Sequence, residues 1–243
     1  MKVLLLGGTG EARQLADALA DEPGLSVVSS LAGRTAEARV PDGEVRLGGF
    51  GGVDGLTAWL RDNKVDCVVD ATHPFAATIT EHAVEATRAV GLPLLVLRRA
   101  GWREQLGDRW VWVGSTDEAA AVLPSVGARA FLTIGRQELD AFAEVGVWML
   151  ARCVDAPEPR PSWCELILSR GPYSLQPELD LLRAQRIDVL VTKDSGGDMT
   201  SAKLEAARAL GVPVVIVRRP PVPAGVDVVE EVDQVVRWLR ERR

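Results

Sequence analysis

Cysteine, tyrosine, histidine and lysine are all scarce in this chain of 243 residues, with three, one, two and four copies respectively. The cysteines Cys67, Cys153 and Cys164 lack metal-ligand spacing, so they read as reduced structural thiols and no metal centre is expected. No basic run with interleaved aromatics occurs and the net charge is -6, which argues against a nucleic-acid surface. A polyanionic ligand would have to be held by local arginines, of which there are 24. No apolar run reaches the roughly 18 residues of a membrane helix, and residues 3–6 are too short for a signal-peptide core, so no membrane contact and a cytoplasmic location are expected. What remains is an ordinary globular composition, 47% hydrophobic, in a chain longer than the usual single domain, which predicts two domains.

The first 20 residues read as strand, tight turn and helix. An apolar run breaks into Gly7-Gly8-Thr9-Gly10-Glu11, and helical periodicity resumes at Ala12, Leu15, Ala16 and Leu19. Glycines let backbone N–H groups approach a phosphate, and the first helical turn offers unpaired donors at the positive end of its dipole. The match to G-x-G-x-x-G is imperfect, and a purely structural turn is the competing reading. A second strand over residues 25–30 ends in Ser29-Ser30-Leu31-Ala32-Gly33-Arg34 without the acidic residue that accepts from the adenosine ribose in NAD-dependent folds. Ser30 and Arg34 therefore point to the 2′-phosphate of NADPH. The glycine cluster around Gly49, after a short strand at 45–47, fits a backbone loop beside a ligand or a plain connector. A buried strand at 66–70 then leads into Asp70-Ala71-Thr72-His73-Pro74-Phe75 and a long helix over 76–90. Thr72 and His73 are candidates to face the nicotinamide, while Asp70 serves equally as a brace for the loop, and His82 in mid-helix reads as a packing residue.

Residues 85–99 recur at 205–219, with Glu, Ala, Arg, Ala, Gly, Pro and Arg-Arg at matching positions. Gly91 and Gly211 read as helix ends, each followed two residues later by a proline that prevents continuation. Two related α/β halves follow, each extended by a further strand and helix, over 110–123 and 226–239. The expected division is 1–98 and 99–243, with the boundary loose between 98 and 125 and with 226–243 able to pack back on the first half. The shared residues are caps and core, so function is sought where the halves differ. In the second half the loop Thr192-Lys193-Asp194-Ser195-Gly196-Gly197 suits anion capture or proton transfer. Gly135-Arg136-Gln137-Glu138 reads as another strand-to-helix bend, and Arg170-Gly171-Pro172-Tyr173-Ser174 opens a helix to about 185. Arg136 and Arg170 also fit ordinary surface ion pairs.

Taken together, Gly7-Gly8-Thr9-Gly10-Glu11, Asp70-Ala71-Thr72-His73-Pro74-Phe75, Thr133-Ile134-Gly135-Arg136, Arg170-Gly171-Pro172-Tyr173 and Thr192-Lys193-Asp194-Ser195-Gly196-Gly197 resemble the signature segments of the precorrin-6A reductases, a group that includes the cobalt-precorrin-6A reductases. The resemblance spans nearly the whole chain. It implies two Rossmann-like domains with mainly parallel sheets around a cleft, and NADPH-dependent reduction of a macrocycle double bond of precorrin-6A to precorrin-6B in cobalamin biosynthesis. It implies a cofactor site of Gly8, Thr9, Gly10, Glu11, Ser30, Arg34, Gly49, Thr72 and His73, and a substrate site of Arg136, Arg170, Tyr173, Lys193, Ser195 and Gly196. Lys193, Asp194, His73 and Tyr173 are chemically able to donate the proton, as are water and the substrate's own carboxyl groups. Transient contact with neighbouring pathway enzymes belongs to the same expectation. The residues alone also fit an NADPH-dependent reductase of a smaller unsaturated or imine-type acid, or a non-catalytic nucleotide sensor.

Overall fold

The computed structural model describes residues 1–33 and 43–242. In chain order the elements are β1 (Lys2–Leu6), α1 (Gly10–Ala20), β2 (Ser26–Leu31), β3 (Glu44–Leu47), α2 (Gly52–Asp62), β4 (Cys67–Asp70), α3 (Ala77–Val90) and β5 (Leu94–Leu97). They continue as β6 (Trp110–Val113), α4 (Thr116–Val126), β7 (Arg129–Thr133), β8 (Trp148–Cys153), β9 (Glu165–Leu168), α5 (Leu175–Ala184) and β10 (Val189–Lys193). The chain ends with α6 (Ala202–Leu210), β11 (Val214–Val217), β12 (Asp227–Val229) and α7 (Val232–Arg240). Contacts divide the molecule into Met1–Ala100 with Pro220–Arg243, and Gly101–Arg219.

Each unit is built on a six-stranded sheet in which every pair of neighbours is parallel. The first sheet runs β3-β2-β1-β4-β5-β12 and the second β9-β8-β7-β10-β11-β6. Both follow the 3-2-1-4-5-6 order of a dinucleotide-binding fold. The sixth strand of each sheet comes from the other half of the repeat, since β6 closes the second sheet and β12 the first. The strand and helix that follow each half of the repeat are thus exchanged: those at 110–123 stay in the second unit, as in the expected division, and those at 226–239 pack back on the first, the arrangement that division left open. Consequently the second unit ends at Arg219 rather than at the C-terminus, because β12 pairs Asp227–Val229 with Leu95–Leu97 and α7 packs Val235 and Leu239 against α1. Local signals cannot distinguish the two destinations, as an edge strand looks the same beside either sheet.

Alternation within β1 explains how one strand feeds two layers. Val3 and Leu5 join Leu15, Leu19, Val235 and Leu239 on one face, whereas Leu4 and Leu6 join Leu56, Leu60, Ala83 and Ala86 on the other. Burial on both faces is why the strand is a continuous apolar run. In the second sheet Phe131, Leu190 and Ile216 pack with Leu182, Leu204 and Ala207. The repeated helix ends are both left-handed glycine caps, Gly91 at φ 72° and Gly211 at φ 66°. The sequence reading omitted β8 and β9, which flank the proline-rich residues 156–161, and the expected helix after Gly135 is the short 3-10 helix Arg136–Phe142.

Candidate active-site residues of the two units

In the first unit Leu6 lies in register with Ser30 on one side and Asp70 on the other, so the ends of β1, β2 and β4 are level. The loops that follow them converge at the point where strand order reverses, the usual ligand position in open parallel sheets. The chain leaves β1 through Gly7 and Gly8, the latter at φ 122°, a conformation that disfavours a side chain. A Cβ on Gly7 would stand 3.3 Å from Leu31 Cδ2. Thr9 caps α1: its hydroxyl accepts from the Ala12 N–H at 3.0 Å and donates to the Ala71 carbonyl at 2.8 Å, tying this turn to the β4 loop. The amides of Gly10 and Glu11 come too early in the helix to have an intrahelical acceptor, and the positive pole of α1 lies beside them. Glu11 pairs with Arg99 at 2.6 Å, which offsets a negative charge that would repel a phosphate. These features fit a dinucleotide phosphate.

Ser30 is buried at the end of β2, and Arg46 Nη1 donates to its hydroxyl at 3.4 Å. The same guanidinium donates to the carbonyls of Gly48 at 2.5 Å and Gly49 at 2.7 Å, and lies 3.7 Å over the Phe50 ring. Arg46 was missed by the sequence reading because β2–β3 pairing, not chain proximity, brings it to Ser30. Arg34, expected beside Ser30, lies outside the described residues. In the β4 loop the Asp70 carboxylate accepts from the Thr72 N–H at 3.0 Å, the Thr72 hydroxyl at 2.7 Å and the Thr80 hydroxyl at 2.6 Å. Asp70 is therefore a loop brace that holds Thr72. His73 Nδ1 accepts from the Phe75 N–H at 3.3 Å, which leaves its other ring nitrogen as the one bearing a proton in the neutral form.

In the second unit β10 is buried along its length and ends in Lys193, whose Nζ sits 2.6 Å from Glu138 Oε1. The Thr116 hydroxyl donates to the other oxygen of Glu138. Asp194 accepts from the Trp102 N–H at 3.0 Å and pairs with Arg219 at 3.1 Å. Its carboxylate thus holds the segment around Gly101, where an added Cβ would meet Asp194 Oδ2 at 2.7 Å. The Ser195 N–H donates to the Lys193 carbonyl at 2.7 Å, and the Gly197 carbonyl accepts from Trp102 Nε1 at 3.1 Å. Ser195 and Gly196 thereby lie in a turn with Lys193 at its start. The Tyr173 hydroxyl donates to the Ser169 carbonyl at 2.9 Å, and its ring lies 4.2 Å from the Arg152 guanidinium. Arg152 is clamped by Glu178 at 2.7 Å in a buried pair. Arg136, exposed at the start of its 3-10 helix, donates to the Ala156 carbonyl at 3.3 Å, and Arg170 is exposed in the loop after β9.

Sequence reasoning also passed over Lys203, buried in the first turn of α6 with its Nζ 4.9 Å from the Trp102 ring. Burial, reinforced by the Arg152 cation and opposed by Glu178, pushes its amine down to about 7. Only its rarity, one of four lysines, marks it in the sequence. A 640 Å³ hollow lined by Met1, Asp66, Cys67 and Arg242 opens at the amino ends of the first sheet's strands, the opposite edge of that sheet from the β1 turn and the β4 loop. No helix among the described residues is long and apolar enough to cross a membrane.

Fold and site define a member of the Rossmann-like α/β class with a glycine-rich turn after the first strand of its first unit and a lysine-bearing strand end in its second. A model of the precorrin-6x reductase CbiJ/CobK family matches residues 2–240, and the chain belongs to that family. It is 52% identical to a precorrin-6A reductase of Rhodococcus erythropolis over 98% of this chain and 97% of that protein. It is 50% identical to one from Mycobacterium tuberculosis with the same coverage. A solved structure of CobK precorrin-6A reductase, 43% identical, superposes with a TM-score of 0.92 over 99% of this chain and 96% of the other.

Proposed function

We propose that this chain reduces a double bond of precorrin-6A with NADPH, giving precorrin-6B in cobalamin biosynthesis. Relatives at 52% and 50% identity over nearly their whole length carry the name precorrin-6A reductase, which supports the substrate. The observation that carries the cofactor assignment is the end of β2, where Ser30 contacted by Arg46 stands in place of a ribose-binding carboxylate. The bound dinucleotide supplies the hydride. Gly8, Thr9, Gly10 and the ion-paired Glu11 seat its pyrophosphate and adjoining ribose, Arg46 with Ser30 receives the 2′-phosphate, and the Gly49 carbonyl fixes Arg46. Thr72, locked by Asp70, and His73 orient the nicotinamide end.

Reduction also consumes a proton, and Lys193 is the group assigned to hold it. Glu138 steadies its ammonium at the strand end, whereas Asp194 is engaged with Trp102 and Arg219, and Tyr173 with a backbone carbonyl. Arg136 and Arg170 offer cationic partners, Ser195 its hydroxyl and Gly196 its N–H, to the carboxylates of the substrate. The test follows the reduced-nicotinamide absorbance with precorrin-6A present. It should fall with NADPH far faster than with NADH, Arg46→Ala should raise the KM for NADPH about tenfold or more with little change for NADH, and Lys193→Met should lower kcat about 100-fold or more. No loss of absorbance with precorrin-6A would refute the reading, and equal use of NADH would refute the cofactor assignment.

A further inference from the structure

The turn at 194–197 carries Ser195 and Gly196 and adjoins Lys193, yet its own residues do little to fix its shape. Gly196 and Gly197 stand at φ 66° and 74°, and two consecutive glycines bring no side chain that could lock the backbone. Trp102 holds the turn from outside. Its backbone N–H donates to Asp194 Oδ1 at 3.0 Å and its indole Nε1 donates to the Gly197 carbonyl at 3.1 Å, so the first and last residues of the turn are tied to one tryptophan. Where the indole lies therefore decides where the turn lies.

The ring packs, half-buried, against the core of the second sheet, and the Lys203 ammonium faces it at 4.9 Å, inside the roughly 6 Å over which a cation is drawn to an aromatic face. Lys203 is buried in the first turn of α6, the helix into which the turn leads. The charged groups around it are Arg152 of β8, which disfavours its positive charge, and Glu178 of α5, which favours it. A methionine would fill the same space without the cost of burying a charge, so packing alone does not account for a lysine at this position. An aromatic face is a partner that a neutral aliphatic side chain cannot use. We propose that Lys203 is a positioning residue: its ammonium holds the Trp102 indole against α6, and the indole holds the turn at 194–197 so that Ser195 and Gly196 meet the carboxylates of the substrate. The effect on the substrate rests on the reductase reading above, whereas the coupling of the ammonium to the turn does not.

The test compares the full parent chain with Lys203→Met from pH 6 to pH 9, so that groups titrating in both cancel in the ratio of their KM values. Burial holds the Lys203 amine at about 7, so the parent carries the ammonium at the acid end of this range and lacks it at the alkaline end. The KM of the variant for precorrin-6A should stand about three- to tenfold above that of the parent at pH 6 and converge with it by pH 9, while the KM for NADPH is the same in both chains throughout. The urea midpoint of Lys203→Met should be no lower than the parent's, which separates the defect from unfolding. The Trp102 indole N–H, assigned by its absence from the nuclear magnetic resonance spectrum of Trp102→Phe, should exchange with deuterium faster in Lys203→Met than in the parent at pH 6 and at the same rate in both at pH 9. If the parent reduces precorrin-6A and the KM ratio is one at every pH, or above one but flat, the proposal is refuted while the reductase reading stands. If the parent is inactive on precorrin-6A yet indole exchange differs between the chains at pH 6 alone, the positioning role stands and the reductase reading fails. Equal indole exchange in the two chains at pH 6 would overturn the proposal whatever the kinetics.

Discussion

Lys203 shows how one residue's surroundings translate into a measurable pH dependence. Its amine is held at about 7 in the folded chain against the ordinary 10.5, by burial first and the Arg152 cation second, with Glu178 acting the other way. Between those values the unfolded chain binds the extra proton, so this group's contribution to stability rises with pH across the window. Below about 7 both states are protonated and the cost of the buried charge is felt in full; above 10.5 both are neutral and it is gone. Lys203→Met keeps the apolar stem and removes the charge, so near pH 7 the variant should be more stable than the parent by on the order of 3 kcal/mol. The advantage should shrink as pH rises toward 10.5, which urea unfolding at several pH values would reveal. A constant difference would mean that Lys203 does not titrate in this range. The contact with the Trp102 ring offsets part of the cost and places the gain below the full value of the pKa displacement.

At the scale of elements, what was legible in the sequence is what the chain settles locally. The apolar period of α1, the glycine-and-proline ends of α3 and α6, and the turn after β1 all depend on residues within a few positions of one another. β8 and β9 were missed because one edge of the sheet relies on β7–β8–β9 pairing, and Glu165 to Leu168 carries only a short, half-exposed pattern. The same reason hid Arg46 and Glu138 from the site: sheet register and packing bring them to Ser30 and Lys193 from 16 and 55 residues away. The loop between β3 and α2 offers a test of this kind of coupling. A Cβ on Gly55, in the first turns of α2, would stand 1.8 Å from the Phe50 carbonyl oxygen, so that peptide must move. Phe50 is stacked under Arg46, which in turn grips Gly48 and Gly49. Gly55→Ala should therefore cost about 1–3 kcal/mol in urea unfolding and also raise the KM for NADPH. A loss of stability with an unaltered KM would show that the loop's position does not matter to the cofactor.

At the scale of the molecule, the exchange of sixth strands makes the two units unequal as pieces of chain. Gly101–Arg219 is continuous and contains all six strands of its sheet, and its last residue is anchored by the Arg219–Asp194 pair. Met1–Ala100 lacks its edge strand and the helix that covers it, because β12 and α7 arrive only after the chain has completed the other unit. The missing piece includes Val235 and Leu239, both wholly buried against Leu15 and Leu19. At about 1.5–3 kcal/mol for each fully buried aliphatic side chain, these two account for roughly 3–6 kcal/mol before any strand pairing is counted. A domain's whole margin is only about 5–15 kcal/mol. A fragment of residues 101–219 should thus unfold cooperatively in urea by far-UV circular dichroism, whereas residues 1–100 alone should show little or no folded baseline. Fusing residues 220–243 to the end of residues 1–100 should restore a cooperative transition, since a connection there needs only to reproduce the β5–β12 adjacency. Equal stability of the 1–100 fragment with and without that tail would mean that β12 and α7 decorate the first sheet without supporting it, and the exchange would lose its energetic meaning.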